Sequence, residues 1–312
     1  MQAKNADVKF VLVMRTTRAK QVRARYASAA LAEYQMRSVG QSYDEYAHEE
    51  ESYEEVLAYA KDILGSRGHL LELERRLLPT YSFNKNDVIV VIGQDGLVAN
   101  TLRYSRHLPV IGVNPDPARY EGTLLPFNPQ RLGEAADAVT SGRARFRAVT
   151  LAQAEIAGGP TLVAANDLFI GKRDQSSARY SVAYRGQKER HSSSGIIIST
   201  PMGSTAWQRS VITGAVGIAS ALGGRAELRA DPTPWEQRKL RFWTREPWPS
   251  VASTATLVAG ELGDQETMEL ASEMGEGGII FADGMQEDAV PFLAGSVITV
   301  TVAPTQAQLM VG

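Results

Sequence analysis

The sequence has no cysteine, and its four histidines (His48, His69, His107 and His191) lie far apart along 312 residues. The first absence removes disulfides, thiolate metal sites and a cysteine nucleophile. The second leaves no spacing that suggests a metal cluster. Neither sign of charge dominates: 33 Lys and Arg stand against 35 Asp and Glu, a net of −2. The bulk balance therefore points to no nucleic acid and no membrane surface as partner. The longest nearly apolar stretch, Gly214 to Leu222, is far too short to cross a bilayer. Met1 to Asp7 leads straight into an apolar strand and leaves no room for a signal or transit peptide, which predicts a cytoplasmic protein. Internal repeats and low-complexity segments are also lacking.

What remains is ordinary for a globular chain, with 44% hydrophobic and 22% charged residues and enough length for two domains. Val8 to Met14 reads as a buried strand, near-continuously apolar as parallel strands are. A basic stretch follows (Arg15, Arg18, Lys20, Arg23, Arg25), then an acidic one from Asp44 to Glu55. Tyr53, Val56, Leu57, Ala60, Ile63 and Leu64 have helical spacing and predict one apolar face. His69 to Glu74, Asp87 to Ile92 and Pro109 to Val113 complete a strand–helix alternation that indicates an α/β domain with a mostly parallel sheet over 1–146.

From 147 to 296 the texture is β-rich. Strands are expected at Thr161–Ala165, Ala178–Tyr184, Gly195–Ser199, Lys239–Thr244, Thr254–Ala259, Thr267–Ala271 and Gly278–Ala282. One helix interrupts them, from Ser204 onward, with an apolar stripe at Trp207, Val211, Ala215, Ile218 and Leu222. The final segment, 297–312, with its strand Val297 to Ala303, is expected to return to the first domain.

Three segments carry candidate chemistry. In Val91-Ile-Gly-Gln-Asp-Gly-Leu97 a buried strand closes on a glycine-flanked turn, beyond a strand's carboxyl end where α/β sheets bind ligands. Gly93 and Gly96 permit positive φ and close approach of a ligand, and Asp95 is placed to take a proton from a hydroxyl. A plain strand-to-helix turn would use the same residues. Asn166 and Asp167 end one strand and could bond a ribose diol, although Asn-Asp is also a common turn signal. In Ser194 to Trp207 a strand runs through Pro201 and Gly203 into a helix that Ser204 can cap. Free amides at that start, with the hydroxyls of Thr200, Ser204 and Thr205, suit the polar groups of a nucleotide.

Together these segments resemble the NAD kinase family (ATP/polyphosphate-NAD kinases), in the pattern of its mitochondrial-type branch. That family usually has Gly-Gly-Asp-Gly-Thr, then Asn-Glu or Asn-Asp, then a segment close to Ser-Thr-Pro-Thr-Gly-Ser-Thr-Ala-Tyr. Ile111 to Gly122, Thr16-Thr-Arg18, Ser193-Ser-Gly195 and the Asp-Gly turn of Phe281-Ala-Asp-Gly284 extend the likeness over nearly the whole chain. Departures are Gln94 for the second glycine, Leu97 for the threonine, Thr123 near the usual adenine-supporting phenylalanine, and Ser194 for a common aspartate.

The resemblance implies a nucleotide-binding α/β domain followed by a β-rich dinucleotide-binding domain. It implies phosphoryl transfer from ATP, with Mg²⁺, to the 2′-hydroxyl of NAD, giving NADP. Asp95 would be the general base, and Gly93 and Gly96 would form the phosphate loop. Asn166 and Asp167 would hold the adenosine ribose. Thr200, Ser204, Thr205, Ala206 and Ser210 would line the dinucleotide site, and Trp207 would wall it. A homodimer or homotetramer is implied. A kinase of the same fold acting on another hydroxyl (nucleoside, sugar or lipid) and a non-catalytic dinucleotide-binding homologue remain alternatives.

Overall fold

A computed structural model describes residues 8–26, 28–224 and 233–312. The chain divides into two compact units, 1–146 with 308–312, and 147–307. In the first, strands β1 (Lys9–Met14), β2 (His69–Glu74), β3 (Asp87–Ile92) and β4 (Pro109–Val113) run parallel in the order β2-β1-β3-β4. All six residues of β3 are buried, as a central strand covered on both faces requires. Two strands extend this sheet beyond β4: the late strand Ala307–Met310, parallel to it, and then β5 (Phe146–Val149).

Helices α1 (Arg18–Arg25), α2 (Ala29–Ser38), α3 (Tyr43–Gly65), α4 (Asp95–Ser105) and α5 (Leu132–Thr140) belong to this unit. The predicted apolar face of α3 is realised: Tyr53, Leu57, Ala60 and Leu64 are buried against Phe10, Leu12, Val88 and Val90. The basic and acidic stretches neutralise each other within the chain. Glu49 takes Arg15 and Arg18, Glu50 takes Arg23, and Glu54 takes Lys20. Burial alone would raise the Glu49 carboxyl, but hydrogen bonds from the two arginines outweigh it and hold the group below its ordinary value.

The second unit is built of two antiparallel six-stranded sheets. Its strands are β6 (Ala152–Ile156), β7 (Thr161–Ala164), β8 (Asp167–Lys172), β9 (Ala178–Tyr184), β10 (Gln187–Ser193), β11 (Ile196–Ser199), β12 (Lys239–Thr244), β13 (Ala259–Gly263), β14 (Met268–Ser272), β15 (Gly278–Ala282), β16 (Met285–Pro291) and β17 (Val297–Val302). The sheet orders are β10-β9-β14-β17-β6-β7 and β13-β12-β11-β8-β15-β16. Residues of both sheets share one core, among them Tyr180, Val182, Leu270 and Ile298 with Leu168, Ile170, Ile198 and Phe242. On the other face of β8, β11 and β15, Phe169, Ile197 and Ile279 receive Trp207 and Val211 of helix α6 (Trp207–Ala221).

Several expectations need correction. Val297–Val302 stays in the second unit between β14 and β6, and the returning strand is β18 (Ala307–Met310), parallel to β4. Thr254 to Leu257 forms no ladder, because the Glu189 carboxylate takes the amides of Thr256 and Leu257 in place of a neighbouring strand. The ladder begins at Ala259. Helix α6 starts at Trp207, after a 3₁₀ turn over Met202–Thr205, and Ser204 caps nothing. Its stripe is half-buried only at Trp207 and Val211, while Ile218 and Leu222 are 65% and 83% exposed.

Gly112 of β4 has no room for a side chain, since a Cβ there would meet the Leu124 carbonyl oxygen at 2.2 Å. Gly112→Ala is therefore expected to destabilise the first unit by about 2 kcal/mol or more, read as a lowered urea midpoint. An unchanged midpoint would show that the chain at 124–125 can move aside freely.

Candidate active site

In the first unit the candidate loop follows β3. Asp95 is the first residue of α4, and its carboxylate accepts the amides of Thr123 (3.1 Å) and Leu124 (2.9 Å), one on each oxygen. Neither Gly93 nor Gly96 takes a positive φ, so that expected use of glycine is not made. Gly93 is instead crowded: a Cβ would meet Leu97 Cδ2 at 2.9 Å. The buried Leu97 side chain thus lies against this glycine. Gln94 is exposed.

The loop is anchored from beneath. Tyr53 Oη donates to the Ile92 carbonyl at 2.7 Å and accepts the Arg15 amide at 3.1 Å. The Arg15 guanidinium covers the Tyr53 ring and bonds Glu49. Burial raises the Tyr53 hydroxyl to about 12, so it remains a neutral donor at any physiological pH.

In the second unit the candidate segments 165–167 and 199–210 meet. Ser199 lies opposite Asp167 in the β11–β8 ladder, and its Oγ donates to Asp167 Oδ1 at 2.5 Å. Helix α6 begins at Trp207 with no side-chain hydrogen bond capping it. Thr200 Oγ donates to the Ala165 carbonyl and accepts the Gly203 amide at 3.1 Å. The Thr200 amide donates to the Asn166 carbonyl at 2.9 Å. Gly203 lies so close to this turn that a Cβ would meet the Asn166 carbonyl oxygen at 2.3 Å.

Two residues expected to face a ligand thus face inward. Thr200 is buried with its hydroxyl engaged on both sides. Asp167 is 6% exposed and accepts the Ser199 hydroxyl at the end of β11. The outward set is Asn166, Ser204, Ala206 and Trp207, half-buried, with Thr205 and Ser210 exposed. Trp207 stacks on Phe169 at 5.7 Å between centroids and on Phe281 at 6.4 Å, and the Arg245 guanidinium lies 5.6 Å from its ring centroid. Sequence reasoning gave no role to Ser199, Arg245 or Asp283. Only Asp283 had a signal, as the Asp-Gly turn after an apolar run.

No family model matches the sequence. A NAD kinase of Chlorobaculum tepidum is 31% identical over 129 residues, a stretch covering 40% of this chain and 44% of that relative. The match therefore spans less than half the relative's length. A NAD kinase from Archaeoglobus fulgidus, solved in complex with ATP, superposes with a TM-score of 0.52 at 16% identity over 97% of this chain and 93% of that one. Yeast NADH kinase complexed with NADH gives 0.55 at 14% identity over 100% and 88%. The chain has the NAD kinase fold. Both superpositions span its two units, so the α/β unit and the β-rich unit each have counterparts in these two folds.

Burial pushes the Asp167 carboxyl up to about 7; the Asp283 charge adds to this, while the Ser199 and Trp207 hydrogen bonds oppose it. An aspartate raised in the fold binds more protons folded than unfolded between its ordinary value and about 7. Its contribution is present below the ordinary value and is lost as pH rises through about 7. The second unit should therefore unfold at a lower temperature at pH 8 than at pH 5, by on the order of a few kcal/mol of stability. Asp167→Asn, neutral throughout, should flatten this difference in calorimetry. An equally steep dependence in the variant would place its origin elsewhere.

Proposed function

We propose that the protein is a NAD kinase, transferring the γ-phosphoryl group of ATP to the 2′-hydroxyl of NAD to give NADP. The observation that carries the reading is the interlocked pair of segments 165–167 and 199–210. There buried polar groups hold a frame, and Asn166, Ser204, Thr205, Ser210 and Trp207 are left outward for a dinucleotide. The sequence match to a NAD kinase and the two superposed kinases, one holding ATP and the other NADH, support it.

Asp95 is assigned as the general base. Each of its oxygens accepts one amide and keeps a lone pair for a substrate proton, so the tether orients the carboxylate without filling it. The amides at the start of α4, with the positive end of its dipole, suit the donor phosphates. Mg²⁺ would neutralise those phosphates; such ions are held largely by substrate oxygens and water, and among the described residues no cluster of three or more acidic or histidine side chains forms a cage for one. Asn166 is assigned to the adenosine ribose, and the Trp207 face to an apolar wall. We further propose a cytoplasmic homodimer or homotetramer. Among the described residues no helix is long and apolar enough to cross a membrane, and Ile218 and Leu222 give an assembly apolar surface to bury.

Purified protein mixed with Mg²⁺-ATP and a panel of NAD, NADH and nucleosides should yield NADP, identified by mass spectrometry. Phosphorylation of a nucleoside alone, or of nothing, would overturn the assignment. Asp95→Asn should lower turnover about 10²-fold or more with NAD affinity retained. Near-normal turnover would reduce Asp95 to a tether for residues 123–124.

A further inference from the structure

β15 and β16 are joined by the two-residue turn Asp283-Gly284, with φ of 51° and 68°. Both values lie in the left-handed region, the requirement of a tight hairpin that Asn-Gly meets as well as Asp-Gly. The turn alone does not explain a carboxylate. The Asp283 Oδ2 accepts the Ala165 amide at 2.8 Å, and Oδ1 accepts the amides of Asn166 (2.7 Å) and Asp167 (3.1 Å). The Asp283 amide donates to the Asp167 carbonyl at 3.0 Å. One side chain thus holds three consecutive amides of a segment more than a hundred residues earlier.

These bonds complete the immobilisation of Asn166. Its amide is held by Asp283 and its carbonyl by the Thr200 amide, so both peptide groups flanking its side chain are fixed. Its side chain remains half-buried, outside that network. Short charge-assisted bonds to three amides are stiffer than neutral ones, and an amide side chain cannot replace them, having one oxygen where three donors converge.

We infer that Asp283 is a positioning residue for acceptor binding: it orients Asn166 toward the ribose without touching the nucleotide. The inference rests on the reading of this site as the NAD site. It separates affinity from chemistry, because a misoriented Asn166 weakens ground-state binding while the Asp95 carboxylate is untouched.

The deciding variant is Asp283→Asn, which keeps the turn because asparagine tolerates positive φ, but removes the charge and an acceptor. It should raise the Kd for NAD and the KM for NAD about tenfold or more, with kcat and the Kd for ATP near those of the wild type. Hydrogen exchange at the amides of 165–167 should accelerate in the same protein. Asp283→Ala should do the same and also lower Tm, since alanine is strained at positive φ. A folded Asp283→Asn protein that binds NAD with wild-type affinity would overturn the inference and leave the proposed function standing. Wild-type protein that binds neither NAD nor NADH would overturn both. If neither variant folds, Asp283 is a folding residue and the inference fails.

Discussion

Asp167 is the group on which the second unit's functional face depends. Its carboxyl is buried where β8 begins opposite the end of β11, and it takes the Ser199 hydroxyl. A carboxyl taken out of water without partners would cost several kcal/mol, so the Ser199 donor is a condition of its being there. Helix α6 starts nearby with no side-chain cap, and its first turn is held by Trp207 and Val211 packed on Phe169, Ile197 and Ile279. Trp207 itself stacks on Phe169 and Phe281, and the Arg245 guanidinium lies over its ring.

The first unit solves a parallel problem with charge. Arg15, Arg18, Lys20 and Arg23 form a basic stretch that looks suited to an anionic ligand, yet each is paired with a glutamate of α3. Exposed pairs such as Lys20–Glu54 add little stability. Glu49 differs, being buried and shared by two arginines, and removing either would leave charge poorly compensated. Its effect reaches the candidate loop through Arg15 and Tyr53, because the tyrosine hydroxyl bonds the last carbonyl of β3, just before Gly93.

How much of this could be read from the chain depended on where each residue's partners lie. β1, β3 and β4 are continuous apolar runs, and α3 keeps its helical period, so their burial is written locally. β10, Gln-Lys-Glu-Arg-His-Ser-Ser, is an edge strand with one exposed side and carries almost no apolar signal. Thr200 and Asp167 were legible as polar residues at strand ends, but not as inward-facing ones. Their partners, Ala165 and Ser199, lie more than thirty residues away. The turn at Asp283-Gly284 was legible as a turn. Its carboxylate's reach to residues 165–167 is a property of the β8–β15 pairing, which composition does not record.

The two units therefore share one division of labour. Buried polar groups (Asp167, Ser199, Thr200, and Tyr53 in the other unit) spend their hydrogen bonds on the frame, while partly exposed ones such as Asn166 keep capacity unspent. Asp95 belongs to both classes. Its two amide bonds fix the direction of the carboxylate and tie residues 123–124 to the start of α4, where Gly112 permits the close approach of Leu124. A carboxylate has about four acceptor positions, and two amides leave the others open. In the role proposed for Asp95, a base must be held still before the substrate arrives, because orienting it afterwards would add to the barrier. A free aspartate on a mobile turn would lack the orientation, and one filled by donors would lack the capacity. The tether at 123–124 avoids both.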